Sequence, residues 1–169
     1  ILRAYAVRQL KNYPKNEKVS TVLVDCLKFG FLTYKRFNQK YIRKSFFVRK
    51  EAAVSISYLN INLAYIAYHL VLMVNTEKNQ GVLIAAYISL GKIGGKAGGK
   101  VQKNVTEVLS KHIKIYPKSN SHIVKSIILG LGYNKDKNAF KTLLQVLKAG
   151  YPGFVNKAVY KAIKMLKLK

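Results

Sequence analysis

The sequence predicts an all-α fold: an array of stacked helix pairs, with about nine helices in four to five repeats. Three observations predict it. The stretch from Val82 to Gly94 is apolar at helical spacing (Val82, Ala86, Leu90, Ile93), has small residues where another helix can come close, and ends in glycine. The chain then repeats that stretch. Val48 to Leu59 aligns with it without a gap, and Leu2 to Tyr13, Ile123 to Asn134 and Val155 to Leu166 align more loosely. The copies begin at residues 2, 48, 82, 123 and 155, at intervals of 46, 34, 41 and 32 residues. A period in that range marks an array of stacked units. Finally, no stretch alternates with period two for long enough to make a strand.

Taken in order, Leu2 to Asn12 reads as a helix whose apolar positions Leu2, Ala6, Val7 and Leu10 need cover, and Tyr13-Pro14 ends it. An uncapped apolar edge is a liability in a stacked array, so the first repeat is expected to be incomplete and the chain to belong to a longer one extending N-terminally. Asn16 to Tyr34 is the second helix, with Val19, Val22, Leu23, Cys26 and Leu27 inward. Lys35 to Lys44 is a basic connection in which Phe37 and Tyr41 interleave with Lys35, Arg36, Lys40, Arg43 and Lys44. Phe47 to Asn60 carries the second copy. The apolar run from Ile56 to Val74 contains Ser57, Asn60, Asn62 and His69, polar groups that a membrane span tolerates poorly. It reads as two helices broken at Asn60 to Asn62, and no membrane span is expected. Leu63 to Asn75 then packs beside the third copy across the turn Asn75 to Asn79.

Gly94 to Lys100 reads as a glycine-lysine loop. Val101 to Ile115 follows as a helix, with Val101, Val105, Val108, Leu109 and His112 at three- and four-residue spacing, and Tyr116-Pro117 closes it. Ser119 or Ser121 is expected to cap the fourth copy, and Asp136 the helix after it, where Phe140, Leu143, Leu144 and Leu147 make a stripe. Gly150 to Gly153 turns the chain into the last copy, residues 154 to 168.

Two copies carry a more specific pattern. Val48-Arg49, Ala52-Ala53 and Leu59, and likewise Val82, Ala86, Leu90-Gly91 and Ile93-Gly94, match Val-Arg-x-x-Ala-Ala-x-Ala-Leu-Gly-x-Ile-Gly. That is the typical second helix of the HEAT-repeat family in its bacterial, HEAT-like form, and the chain resembles that family over nearly its whole length. Ile127 and Val159 stand where alanine is usual, which bears on the pitch of the stack. The resemblance implies one HEAT/ARM-like solenoid domain, a right-handed α-α superhelix, over residues 1–169. It also implies a binding scaffold, although a fold of this kind does not by itself assign a function.

Composition narrows the partners. Half the residues are hydrophobic, enough for a continuous core, while 31 Lys and Arg against 6 Asp and Glu leave a net charge of +25. A field of that size favours polyanions, anionic lipid or acidic proteins. The excess is 26 Lys to 5 Arg, with 12 Asn and 12 Tyr, which is also the drift expected of an AT-rich genome. Cys26 is the single cysteine, so there is no disulfide framework, and its apolar helical run makes it core. No secretory-signal or lipidation motif is visible, and the expected compartment is cytoplasmic.

Catalytic chemistry finds little support. Residues 94–101 nearly spell a phosphate-binding P-loop, but Val101 replaces the hydroxyl that would hold Mg²⁺, and a helix precedes where a strand is needed. Lys92, Lys96 and Lys100 beside a helix N-terminus remain a weaker phosphate reading, set against a plain linker; Lys96, Lys100 and Lys164 are the candidate phosphate contacts. His69, His112 and His122 have no metal spacing with a second ligand, so neither metal nor cofactor is expected. His122 is expected in a turn, and Asp25 reads as a satisfied buried carboxylate. Some HEAT-like proteins are DNA glycosylases that use tryptophan and a catalytic Asp; here there is no tryptophan and no motif that locates such an Asp. No catalytic residue is assigned, and an enzyme is not expected.

The resemblance implies that the repeated helices line the concave surface. Counting the first residue of each copy as zero, offsets 2, 3, 6 and 10 should face the groove. Its expected floor is Val54, Tyr58, Ile84, Ile88, Leu129 and Tyr133, and its basic rim Lys50, Lys92, Lys125, Lys157 and Lys161. An apolar floor with tyrosines and a basic rim is closer to a protein interface than to a track for a phosphate backbone. The expectation is a non-catalytic scaffold holding an acidic or amphipathic polypeptide. The alternative is a nucleic-acid-binding array acting through the 35–44 connection, the 92–100 loop and the face Lys157, Lys161 and Lys164. The oligomeric state stays open.

Overall fold

In a computed structural model the described residues, 2–29 and 45–167, form nine α-helices and no strand. The basic connection expected at 35–44 lies outside them, as does the expected end of the second helix at Tyr34. The helices are α1 (Leu2–Gln9), α2 (Glu17–Phe29), α3 (Phe46–Ile56), α4 (Leu63–Thr76), α5 (Gln80–Ala97), α6 (Gly99–Ile115), α7 (Ser121–Asn134), α8 (Ala139–Lys148) and α9 (Gly153–Met165). α1 tightens into a 3-10 turn at Leu10–Asn12 before Tyr13-Pro14. α3 starts on Ser45 and α5 on Asn79, whose side chains accept the amides of Val48 and Val82 and so satisfy donors with no partner inside the helix.

The five sequence copies are α1, α3, α5, α7 and α9. They pack against one another in series, each of the last four also resting on the even helix before it, while α2, α4, α6 and α8 follow one another more loosely alongside. The buried positions explain this order. Val48, Ala52, Ile56 and Leu59 of the second copy, Val82, Ala86, Leu90 and Ile93 of the third, and Ile123, Ile127 and Leu131 of the fourth are at most 3 % exposed, and they join Leu23, Ile66, Leu70, Leu109 and Leu143 in one core. Fully burying one such Leu or Ile contributes about 1.5–3 kcal/mol. Cys26 belongs to the same core.

Polar groups inside this core are tied across the layers. The buried Tyr87 hydroxyl of α5 lies 2.6 Å from Nδ1 of His112 on α6 and 3.2 Å from the Tyr116 hydroxyl, and His112 Nε2 lies 3.1 Å from Asn75 Oδ1 at the end of α4. Arg49 of α3 donates two hydrogen bonds to Glu77, 2.7 and 3.2 Å long, and Glu77 also accepts the amides of Lys78 and Asn79 ahead of α5. Asn134, fully buried, donates to the Gln102 carbonyl and to the Thr106 hydroxyl, tying the end of α7 to α6.

Several local expectations need correction. The glycine-lysine loop does not exist: α5 runs through Gly94 and Gly95 to Ala97, and Gly98 alone, at φ 66°, separates it from α6. Both glycines are used for packing, because a Cβ would meet Asn134 Oδ1 at 2.2 Å or the Tyr133 carbonyl oxygen at 2.4 Å. Asp136 is not the cap of α8, which starts at Ala139; its carboxylate accepts the Asn138 amide and the Thr106 hydroxyl instead. Neither Ser119 nor Ser121 caps α7, since the helix begins at Ser121, whose hydroxyl donates back to the Lys118 carbonyl. His122 lies in the first turn of α7, stacked on Phe154.

Candidate functional site

Residues four apart on a helix lie on one face. In α3, α5 and α7 three faces are taken: one by the even layer, two by the neighbouring copies. What remains for solvent is the line at offsets 2, 6 and 10. On α3 that line is Lys50 and Val54, with Tyr58 in the turn that follows the helix; on α5 it is Ile84, Ile88, Lys92; on α7 it is Lys125, Leu129, Tyr133; on α9 it continues as Lys157, Lys161, Met165. Val54, Ile84 and Leu129 are half-buried and packed on the core, Ile88 is half-buried, and Lys50, Tyr58, Lys157 and Lys161 are exposed. Offset 3, also expected on this surface, is there only in the first two copies, as the exposed Tyr5 and the half-buried Glu51; Ala85, Ser126 and Ala158 of the last three are buried.

The lines are in register across helices. The Lys92 ammonium lies 5.5 Å from the centre of the Tyr58 ring and 5.2 Å from that of Tyr133, so one α5 cation is held over ring faces from both sides. Lys11 sits over the other reach of Tyr58 at 5.5 Å, and Lys125 over Phe154 at 5.8 Å. Lys11 and Phe154 were not singled out in the sequence. Lys11 precedes the α1 position aligned with Lys92, and Phe154 precedes Val155, where the alignment of the last copy begins, so neither falls on the repeated line.

The electrostatics are one-sided. Glu51 carries the carboxylate on this face, and Arg8 of α1 answers it with two hydrogen bonds of 2.8 and 2.9 Å. That bond holds the Glu51 carboxyl below its ordinary range. Lys11, Lys50, Lys92, Lys125, Lys157 and Lys161 make no ion pair among the described residues. Five exposed or half-exposed cations therefore bracket the apolar line of α3, α5 and α7 and its continuation on α9, with Lys11 beside them.

The candidate phosphate contacts are not brought together. Lys96 Nζ donates to the carbonyls of Ser57 and Leu59 at 2.9 and 3.0 Å, satisfying groups left open where α3 ends; burial, then the nearby Lys92, pushes its pKa down. Lys100 stands in the first turn of α6, in the other layer, and Lys164 lies off the repeated line on α9. Among the described residues no group of three His, Cys, Asp or Glu side chains could hold a metal, and no helix is long and apolar enough to cross a membrane.

Two further hollows open on the even layer. One, of about 420 Å³, is lined by Leu27, Lys28, His69, Leu72 and Met73 with the Arg49–Glu77 pair at its edge. The other, of about 340 Å³, runs between α4 and α6 over Ala64, Val71, Val101 and Val108. Sequence reading missed both. A usable signal was Arg49, a cation at an offset that is Leu83 and Val124 in the next two copies. Compared with known proteins, the chain matches no family model, no curated protein and no solved structure.

Proposed function

We propose that this chain is a non-catalytic, HEAT-like scaffold, its odd helices forming the concave wall of a right-handed superhelix that holds an acidic, amphipathic polypeptide. One observation carries the reading. Val54, Ile88 and Leu129 form a half-exposed apolar line across α3, α5 and α7, and the lysines bordering it have no carboxylate partner. Apolar contact supplies affinity in such an interface, and unmatched cations at its border steer an acidic partner and select it. A phosphate-tracking surface would carry cations along its floor, where this one carries isoleucine, valine and leucine.

The test is fluorescence anisotropy with a labelled acidic, amphipathic peptide, set beside duplex DNA and single-stranded RNA. Ile88→Glu is expected to weaken the peptide at least about tenfold, the loss typical of a central interface residue, with helical circular dichroism unchanged. Peptide affinity that ignores Ile88→Glu refutes the proposal. Tight nucleic-acid binding that survives Ile88→Glu and falls steeply with salt would favour the polyanion-binding alternative.

A further inference from the structure

The dimensions of this face say which form of polypeptide it fits. Resting on the scaffold reading, we infer that the partner segment is an α-helix with an apolar stripe and acidic residues along both flanks, lying across α3, α5 and α7.

The three helices are in register. The contacts of Lys92 with Tyr133 on α7 and with Tyr58, in the turn just past the end of α3, align the three helices at one level. Stepping back one turn on each gives Val54, Ile88 and Leu129; stepping back a second gives Lys50, Ile84 and Lys125. The face thus has three parallel rows that cross the helices. The outer two lie eight residues apart, or about 12 Å at 1.5 Å per residue. That width matches an α-helix, which measures about 10–12 Å across with its side chains. A single extended strand occupies about 4.8 Å in its plane and would leave one outer row unmet.

The outer rows differ in kind and agree in sign. One is Lys50 and Lys125 with Ile84 between them. The other is Lys92, held between Tyr58 and Tyr133, with Lys11 against Tyr58. Being held over rings fixes the Lys92 ammonium in place and leaves its N–H donors available. A helix lying in the middle row therefore meets cations on both flanks, and acid on both flanks is its complement. Packed helices stand about 8–10 Å apart, so α3 to α7 spans roughly 16–20 Å. A partner helix needs about 11–13 residues to cross it at 1.5 Å per residue. Its apolar side chains would recur at i, i+3 or i+4, and i+7.

The decisive experiment uses three labelled peptides of equal length and net charge. The first is helical with glutamates on both flanks. The second places its glutamates on one flank, and the third carries two central prolines in place of two alanines. The first is expected to bind at least about tenfold tighter than either other. Its affinity should fall both with Lys50→Glu/Lys125→Glu and with Lys92→Glu. If the proline peptide binds as tightly and Ile88→Glu abolishes it, the groove stands and the helical partner is overturned. Equal binding of one-flank and two-flank peptides overturns the double-flank requirement. Should no peptide respond to Ile88→Glu, the underlying groove reading falls as well. RNA displacing the first peptide from the wild-type protein but not from the Lys92→Glu variant would place a polyanion in the same groove and also count against the inference.

Discussion

A Cβ on Gly91 would lie 2.0 Å from the carbonyl oxygen of Gly130, so α5 and α7 touch backbone to backbone. Gly130 returns the contact, since its own Cβ would meet the Tyr87 carbonyl oxygen at 2.6 Å. This closeness brings Lys92 within reach of the Tyr133 ring and keeps the apolar rows continuous. Gly91→Ala is therefore expected to destabilise by about 3 kcal/mol, at the upper end for overpacking, despite the gain of about 1 kcal/mol in helix propensity. Gly153→Ala is the control, because nothing lies within 4 Å of its Cβ position. Urea unfolding followed by circular dichroism measures both. Equal stability of the two variants would mean that the helices do not meet here.

The Arg49–Glu77 pair makes acid stability predictable. Burial pushes the Glu77 carboxyl up, but the Arg49 hydrogen bond, the Asn79 and Lys78 amides and the Arg49 charge together hold it below its ordinary 4.5. A lowered carboxyl stabilises the fold above that value, and the contribution is lost as pH falls through the folded pKa. Glu51, lowered by Arg8, acts in the same direction. Glu77→Gln should cost about 2–3 kcal/mol at pH 7, less than a fully buried pair, and should flatten the melting curve below pH 4.5. An unchanged acid limb in that variant would remove Glu77 from the account.

His112 governs a milder range. Burial, then the charge of Lys111, holds its imidazole below the ordinary 6.5. The unfolded chain thus takes up a proton first, and stability declines as pH drops below 6.5 until the folded pKa is reached. His69, also lowered by burial, contributes with the same sign. Replacing His112 with Gln should remove part of this slope, and Tyr87→Phe, which deprives Nδ1 of its partner, should cost about 1–3 kcal/mol at pH 7. Proton NMR of the imidazole C–H resonances gives the pKa directly; a value at or above 6.5 for His112 contradicts the prediction.

Lys96→Met separates a helix-end contact from an anion contact. With the ammonium donating to the Ser57 and Leu59 carbonyls, the change should cost about 1 kcal/mol, modest because the side chain keeps part of its surface in solvent. Binding of a polyanion such as heparin should stay within about twofold of wild type. A large loss of polyanion affinity with unaltered stability would restore Lys96 as a phosphate contact.

Much of this molecule is legible in one dimension. The repeated apolar spacing locates α1, α3, α5, α7 and α9, and Tyr13-Pro14 and Tyr116-Pro117 end helices where turn-forming residues predict an end, whereas α3 stops at Ile56, short of the expected Asn60. The solvent line Val54, Ile84, Ile88 and Leu129 also follows from counting offsets. The misreadings cluster where a residue's partner lies far along the chain. Gly94 and Gly95 look like a loop until α7 is seen against them, and Lys96 looks available until the end of α3 is found beneath it. Asp136 looks like a cap until Thr106 claims its carboxylate.

The sequence alone determined the helical class, the repeat and which side of each repeated helix is apolar, because helix periodicity and turn chemistry act over a few residues. Only the tertiary structure decided how closely neighbouring copies approach, which of the predicted surface offsets are buried between them, and that Lys92 lies between two tyrosines. Those outcomes depend on side chains about 30 to 40 positions apart coming within a few ångströms, and nothing local in the chain encodes that distance.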